Sequence, residues 1–333
     1  MRNDVEYPLS IPLELFITTP RTIPVMVSIR TPKLLTPAVD ITVSVVSGQV
    51  EKIEIPHELR LNWVGIENKV LYVHADNDIA IYGLNKEQFS TDGFLLYPTD
   101  VIGYEYITVS YSPTHSFTVF ALASKYDNTE LSIIFPDGAG RIPLRIEFLN
   151  RVFTNNDVIN ITLQAFQSFQ CASYDQADLT GTRIVSSMPV AAFSGNVRTW
   201  VGDAQSSRDH LAVQLPPVNA YGKEFPIMPI PGRTIGDKLR VVSSLPNTDI
   251  TVETYGEMTQ YYFLANVSNY LEVDIASNST TTVTSSQPVM VVQISQSQQS
   301  NEEFGDPTMI IVTATPQYLS EYVFSTPQLS RGG

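Results

Sequence analysis

The chain has 333 residues, 43% of them hydrophobic and only 16% charged, with 34 acidic against 20 basic side chains and a net charge of −14. That length and apolar share allow a sizeable core, whereas the acidic balance argues against a phosphate backbone as partner. No apolar run approaches the roughly 18 residues of a membrane span, and the single thiol, Cys171, excludes an internal disulfide framework and a cysteine-based zinc site.

In chain order, the opening "MRNDVEYPLS" carries no apolar segment of signal-peptide type. The first strand is expected at "LELFITT" and the next at "ITVSVVS". Period-2 alternation returns in "FTVFALAS", "KLRVVSS", "DITVETYG", "YLEVDIAS" and "TTTVTSS". Between these runs lie Pro, Gly, Asn and Asp, the turn formers, and 22 prolines scattered this way would break helices. "NKEQFS" (85–90) is expected to add a helical turn. The fold class is all-β.

The strands repeat. Pro98, Gly103, Glu105, Ser124, Asn128 and Thr129 recur 119 positions on as Pro217, Gly222, Glu224, Ser243, Asn247 and Thr248. "DIAIYGLN" (78–85) returns as "PVAAFSGN" (189–196), 111 positions on, so the second copy has eight extra residues in the loop between. A third copy follows at a spacing of 99, where Pro189, Pro217 and Phe225 become Pro288, Pro316 and Phe324. Units of about 100–120 residues are too long for a propeller blade and suit sandwich-like modules. The expected division is a partial unit over 1–75, full repeats over 76–186 and 187–286, and a partial unit over 287–333. The incomplete ends leave two architectures open: a closure in which the last strands pack beside the first and protect their edges, or a row of independent sandwiches.

Chemistry-bearing residues concentrate in 186–225. Ser194, Asp209 and His210 contain the groups of a hydrolase, but "AFSGN" lacks the glycine two before the serine that a nucleophile elbow uses. The histidines at 57, 74, 115 and 210 form no i, i+4 pair. "HADND" (74–78) reads as a turn before it reads as a calcium loop. No catalytic residue, cofactor or metal site is expected. The candidate ligand contacts are Arg198, Trp200, Asp203 and Arg208 in the inserted loop, because Trp and Arg are the residues most enriched in interface hot spots. The competing reading folds Trp200 back as a cap on the sandwich end. "QQSNEEFGD" (298–306) is the loop's acidic counterpart in the third copy. Sequons stand at Asn160, Asn266 and Asn278.

The motifs "DNDIAIYGLN", "FLLYPTDVIGYEYITVSY", "ADLTGTRIVSSMPVAAFSGN", "DHLAVQLPPVNAYGKEF" and "GDKLRVVSSLPNTDITV" follow in an order that resembles the N-terminal domain of IgGFc-binding proteins, from about Leu13 to Phe324. In that family a "GKEF"-type strand also opens the domain, and its absence before "LELFITT" suggests a trimmed N-terminus. The resemblance implies a secreted or surface-exposed, non-enzymatic module that binds an extracellular protein or glycan, often beside other domains of a longer chain or through self-association. Many members bracket the loop between "SGN" and "DHL" with cysteines; residues 197–208 contain none. Two alternatives stay open: a structural spacer of a surface protein, and a carbohydrate-active enzyme using a carboxylate pair.

Overall fold

The computed structural model describes residues 1–3, 11–114, 116–138, 141–203, 207–298 and 305–324. The first strands are β1 (Leu13–Thr18), β2 (Val25–Arg30), β3 (Asp40–Val45), β4 (Glu51–Ile55), β5 (Gly65–Glu67), β6 (Tyr72–Ala75), β7 (Ala80–Glu87) and β8 (Ser90–Leu95). All but β5 form two sheets, β4-β1-β7-β8 and β3-β2-β6, while β5 pairs in the sheet that follows. Alternation drives this pairing: Leu15, Ile17, Val25, Val27, Ile29, Ile53 and Ile55 turn inward from both sheets into one apolar cluster. "NKEQFS" is not helical. It makes the β7–β8 hairpin, with Glu87 paired to Ser90, because antiparallel pairing satisfies its backbone groups while Leu84 and Gly93 stay in register.

The next strands are β9 (Gly103–Ile107), β10 (Thr118–Ser124), β11 (Thr129–Ile134), β12 (Ile146–Phe148), β13 (Arg151–Phe153), β14 (Val158–Leu163), β15 (Ser168–Ala172), β16 (Arg183–Thr199) and β17 (Asp209–Gln214). After them come β18 (Gly222–Ile227), β19 (Asp237–Ser243), β20 (Thr248–Thr254), β21 (Gln260–Leu264), β22 (Tyr270–Ile275), β23 (Thr281–Ser295) and β24 (Met309–Val312). The order β14-β11-β16-β10-β15 recurs as β21-β20-β23-β19-β22, with β9 and β17 on β16 where β18 and β24 lie on β23. The first group follows the same plan with its long strand divided: β6 pairs β2, and β7 pairs β1 and β8.

A long strand serving both sheets must bend, and each bend carries a break in register. In β16 the register against β9 shifts between Val185 and Val190; in β23 the register against β18 shifts between Gly222 and Glu224. The turns agree as well. Asn128 and Asn247 both take positive φ, at 52° and 55°. The short 3₁₀ turns Val218–Ala220 and Thr315–Gln317 stand 97 positions apart, so Pro217 corresponds in space to Ala314, two residues before the sequence spacing placed it. Among the described residues β1 lies between β4 and β7, and β24 lies beside β23.

Buried charge joins the groups. Between the second and third, the Arg240 guanidinium reaches Asp178 Oδ2 at 2.6 Å and the Ser110 carbonyl at 2.6 Å, and its Nε reaches Glu272 at 2.8 Å. Tyr111 and Tyr270 flank the cation at 5.0 and 4.6 Å. Burial pushes the Asp178 carboxyl up, but Arg240 and Thr180 outweigh it and hold the group below the usual carboxylate range. Within the first group, buried Arg60 pairs with Glu87 and donates to Asn85 Oδ1, and Asn85 Nδ2 reaches His210 Nε2 of the second group at 2.9 Å. Asp92 on β8 accepts from Ala212 N on β17 at 2.8 Å and from Thr308 Oγ1, just before β24, at 2.9 Å, tying the three groups to a single carboxyl.

Candidate binding site

Arg198 is the last residue but one of β16. It is buried, 8% exposed, and its Nε donates to the Arg208 carbonyl at 3.5 Å. The chain then leaves the sheet. Trp200 N donates to Thr114 Oγ1 at 3.0 Å, Val201 N to Ser297 Oγ at 3.0 Å, and Gly202 N to Tyr111 OH at 3.2 Å. On the return, Ser297 Oγ donates to the Ser207 carbonyl at 3.0 Å. These bonds pin the base of the loop to the second and third groups together.

Above that base the Arg208 guanidinium lies over the Trp200 indole, 5.2 Å from the ring centroid. The structure therefore brings Arg198, Trp200 and Arg208 together and leaves Asp203 exposed at the loop's outer side. Trp200 is half-buried, and its Nε1 is enclosed without a hydrogen-bond partner among the described residues. The indole thus partly caps the sandwich end while its other face carries the cation. Residues 204–206 lie outside the described residues, as do 299–304 of the acidic counterpart.

The hydrolase groups do not assemble. His210 Nδ1 is 3.2 Å from the Val197 carbonyl and Nε2 is 2.9 Å from Asn85 Nδ2, so both ring nitrogens are engaged. Burial, aided by the nearby Met1 amino group, pushes the imidazole pKa down to about 3. Ser194 Oγ is buried without a hydrogen-bond partner among the described residues. Asp209 accepts from Thr91 N at 2.6 Å. Asp209 and His210 anchor β17 to the β7–β8 hairpin. His115 lies outside the described residues, and among those described no three His, Cys, Asp or Glu side chains converge as metal ligands. In "HADND", Asp76 accepts from Met26 N at 3.0 Å and Asp78 pairs with Arg21, which closes a turn.

A second feature escaped the sequence. An open groove of about 1060 Å³ runs beside β5, the β12–β13 hairpin and β14, lined in part by Trp63, Tyr174, Leu149, Arg151 and Asn160. Trp63 Nε1 donates to Tyr174 OH. The Trp63 ring meets Phe117 edge-on at 4.9 Å and Tyr174 at 5.3 Å, with Arg2 over it at 4.8 Å. Trp63 and Tyr174 stand 111 positions apart, and the pairing of β5 with β15, with Gln170 Nε2 donating to the Trp63 carbonyl at 3.1 Å, joins their neighbourhoods. The one available signal was that Trp63 is one of two tryptophans in the chain. All three sequon asparagines are exposed, Asn160 on this groove.

Groups of strands in a recurring order, joined by buried polar contacts, make an all-β frame with loops and strand edges at the surface. The family model described as IgGFc binding protein matches residues 92–331, and the chain belongs to that family. It is similar to the human protein named IgGFc-binding protein, at 22% identity over 283 residues, which is 84% of this chain and 5% of that protein. No solved structure matches the chain.

Proposed function

We propose that this chain is a non-enzymatic extracellular module, built of tandem sandwich units, that binds a protein partner through the 197–208 loop. The observation that carries the reading is the Arg208–Trp200 stack, held by backbone hydrogen bonds that Trp200 and Val201 donate to Thr114 and Ser297, with exposed Asp203 in the same loop. A flat cation on an indole, pre-set by a pinned backbone, costs little further ordering on association. Arg198 acts from below by holding the Arg208 carbonyl. Family membership and the human relative's name support a protein as ligand; the identity of this chain's own partner rests on binding data.

The groove favours a second reading. Its aromatic wall of Trp63 and Tyr174, beside the amides of Asn150 and Asn160, suits the apolar face and hydroxyls of a sugar ring. The test is a screen of the purified chain on extracellular-protein and glycan arrays, with Trp200→Ala, Arg208→Ala and Trp63→Ala in parallel. A protein hit weakened tenfold or more by the first two substitutions is the expected result. A glycan hit lost only in Trp63→Ala moves the site to the groove. A folded chain with no hit in either screen refutes both and favours a spacer.

A further inference from the structure

The three sandwiches provide an internal comparison. Each has an edge strand at the same place: β3 in the first, β14 in the second and β21 in the third, each at the end of its sheet order. The register aligns them. Val25 faces Val45, Thr129 faces Leu163 and Thr248 faces Leu264, and each of these pairs is turned into its unit. The outward positions one and three residues before Val45, Leu163 and Leu264 are therefore equivalent. They carry Ser44 and Thr42 in the first unit, Thr162 and Asn160 in the second, and Phe263 and Tyr261 in the third.

The fold thus needs nothing larger than a hydroxyl or amide at these positions, yet β21 presents two aromatic rings to solvent, Tyr261 77% and Phe263 58% exposed. The β20–β21 turn adds Tyr255 and Met258, also exposed. An edge strand with unpaired backbone groups, no Lys, no Pro and no bulge has none of the usual protections against pairing. Burying aromatic surface there is favourable for whatever can align with it.

Charge restricts the partner. Asp249 is the direct cross-strand neighbour of Phe263, Thr251 that of Tyr261, and Glu253 continues the same outward row. Glu224 on β18 faces Thr284 on the far side of this sheet. Lys223 is the nearby cation, and its ammonium donates to the Ser286 carbonyl at 2.7 Å. Among the described residues no ion pair involves Asp249 or Glu253. A second copy of a chain with net charge −14 would bring like charge to this row.

We propose that β21 is a docking edge for a cationic, extended segment of a partner protein, which adds as a further strand. Its aliphatic side chains cover Tyr261 and Phe263, and its Lys or Arg side chains oppose Asp249 and Glu253. This site is separate from the 197–208 loop. Substitutions at Trp200 or Arg208 are expected to leave it unchanged, so the two proposals fail independently.

The probe is a blocked, fluorescent octapeptide alternating Val and Lys, with a Val–Glu octapeptide as control, titrated against the full chain by anisotropy at low and high salt. Hydrogen exchange of the β21 amides is followed in parallel. The variants are Tyr261→Asn with Phe263→Thr, which installs the residues the second unit carries at the same positions, and Asp249→Asn with Glu253→Gln. Circular dichroism checks that both fold. The expected result is binding of the Val–Lys peptide with slowed exchange in β21, at least tenfold weaker in each variant and weakened by salt, and no binding of Val–Glu. Equal affinity in wild type and variants, no binding up to millimolar peptide, or no change in β21 exchange overturns the proposal. A dimer by sedimentation that dissolves in the Tyr261→Asn/Phe263→Thr variant, without peptide binding, also overturns it and makes a second copy the occupant.

Discussion

Replacing Arg240 with methionine keeps most of the side chain's apolar length and removes the charge between the second and third sandwiches. Arg240 and Asp178 are both nearly inaccessible, with side chains 2% and 5% exposed. Removing one member of such a pair typically costs about 3–5 kcal/mol, because the other is left charged and buried. Asp178 would keep its neutral donors: Ser110 Oγ at 2.8 Å, Thr180 N at 2.9 Å and Thr180 Oγ1 at 2.6 Å. What is lost is mainly charge compensation, which places Arg240→Met at about 3 kcal/mol. Asp178→Asn in the same background removes the orphaned charge, so the double variant should be more stable than Arg240→Met alone. The assay is urea unfolding by tryptophan fluorescence at pH 7, with hydrogen exchange over 108–112 and 239–243 to locate the loss. Folding holds the Asp178 carboxyl below its ordinary 3.8, so the pair's contribution is complete above that pH and fades as pH falls below it. A loss under about 1 kcal/mol in Arg240→Met, or strict additivity with Asp178→Asn, would refute the claim that this ion pair locks the two units.

Three further outcomes follow from buried groups elsewhere. Burial lifts Asp92 to about 8 and Asp209 to about 7, against the hydrogen bonds they accept, from an ordinary 3.8. A carboxyl raised on folding contributes stability that is full below its unfolded pKa and lost as pH rises through the folded one. Wild type should therefore lose stability relative to Asp92→Asn by about 1.4 kcal/mol per pH unit between pH 5 and 8. The difference between the two proteins is the quantity to measure, because His210 and the Met1 amine, both lowered, tilt the absolute curve the other way; parallel curves would contradict the assignment. A β-carbon on Gly195 would lie 1.8 Å from the Leu211 carbonyl oxygen, so Gly195→Ala should destabilise the β16–β17 pair by about 2–3 kcal/mol in urea titration. Burial pushes the Cys171 thiol well above its usual range. It should resist Ellman's reagent in the native chain and react once per molecule in urea, and rapid native reaction would show that the second unit opens.

The alternation that announces strands was readable because it is local. "ITVSVVS", "FTVFALAS" and "DITVETYG" became β3, β10 and β20 with their apolar residues inward. "NKEQFS" misled because a hairpin turn and a helical turn use the same polar residues, and only the register of the flanking strands separates them. The loop cluster was half legible. Its composition marked Trp200 and Arg208, but the burial of Arg198 depends on strand β16 continuing to Thr199. The Trp63 groove and the Arg240–Asp178 lock were not legible, since their members are 111 and 62 positions apart and meet only through tertiary packing.

The same contrast bears on function. If the units served only as a spacer, the polar locks at Arg240 and Asp92 would suffice, and the outward rows could be as small and polar as Thr42 and Ser44 on β3 and Asn160 and Thr162 on β14. A rigid interface of buried charges fixes the angle between units at some cost in stability, which is useful when separate surfaces must face one partner in a set geometry. The aromatic departures at Trp200, Trp63 and the Tyr261–Phe263 pair fall in three different places on that frame. Weakening the lock offers a way to tell the roles apart. Arg240→Met should leave a single-site ligand's affinity nearly unchanged, but lower the affinity of a partner spanning the second and third units by an order of magnitude or more, as surface plasmon resonance would show. Equal affinities for the spanning partner would mean that the units act independently.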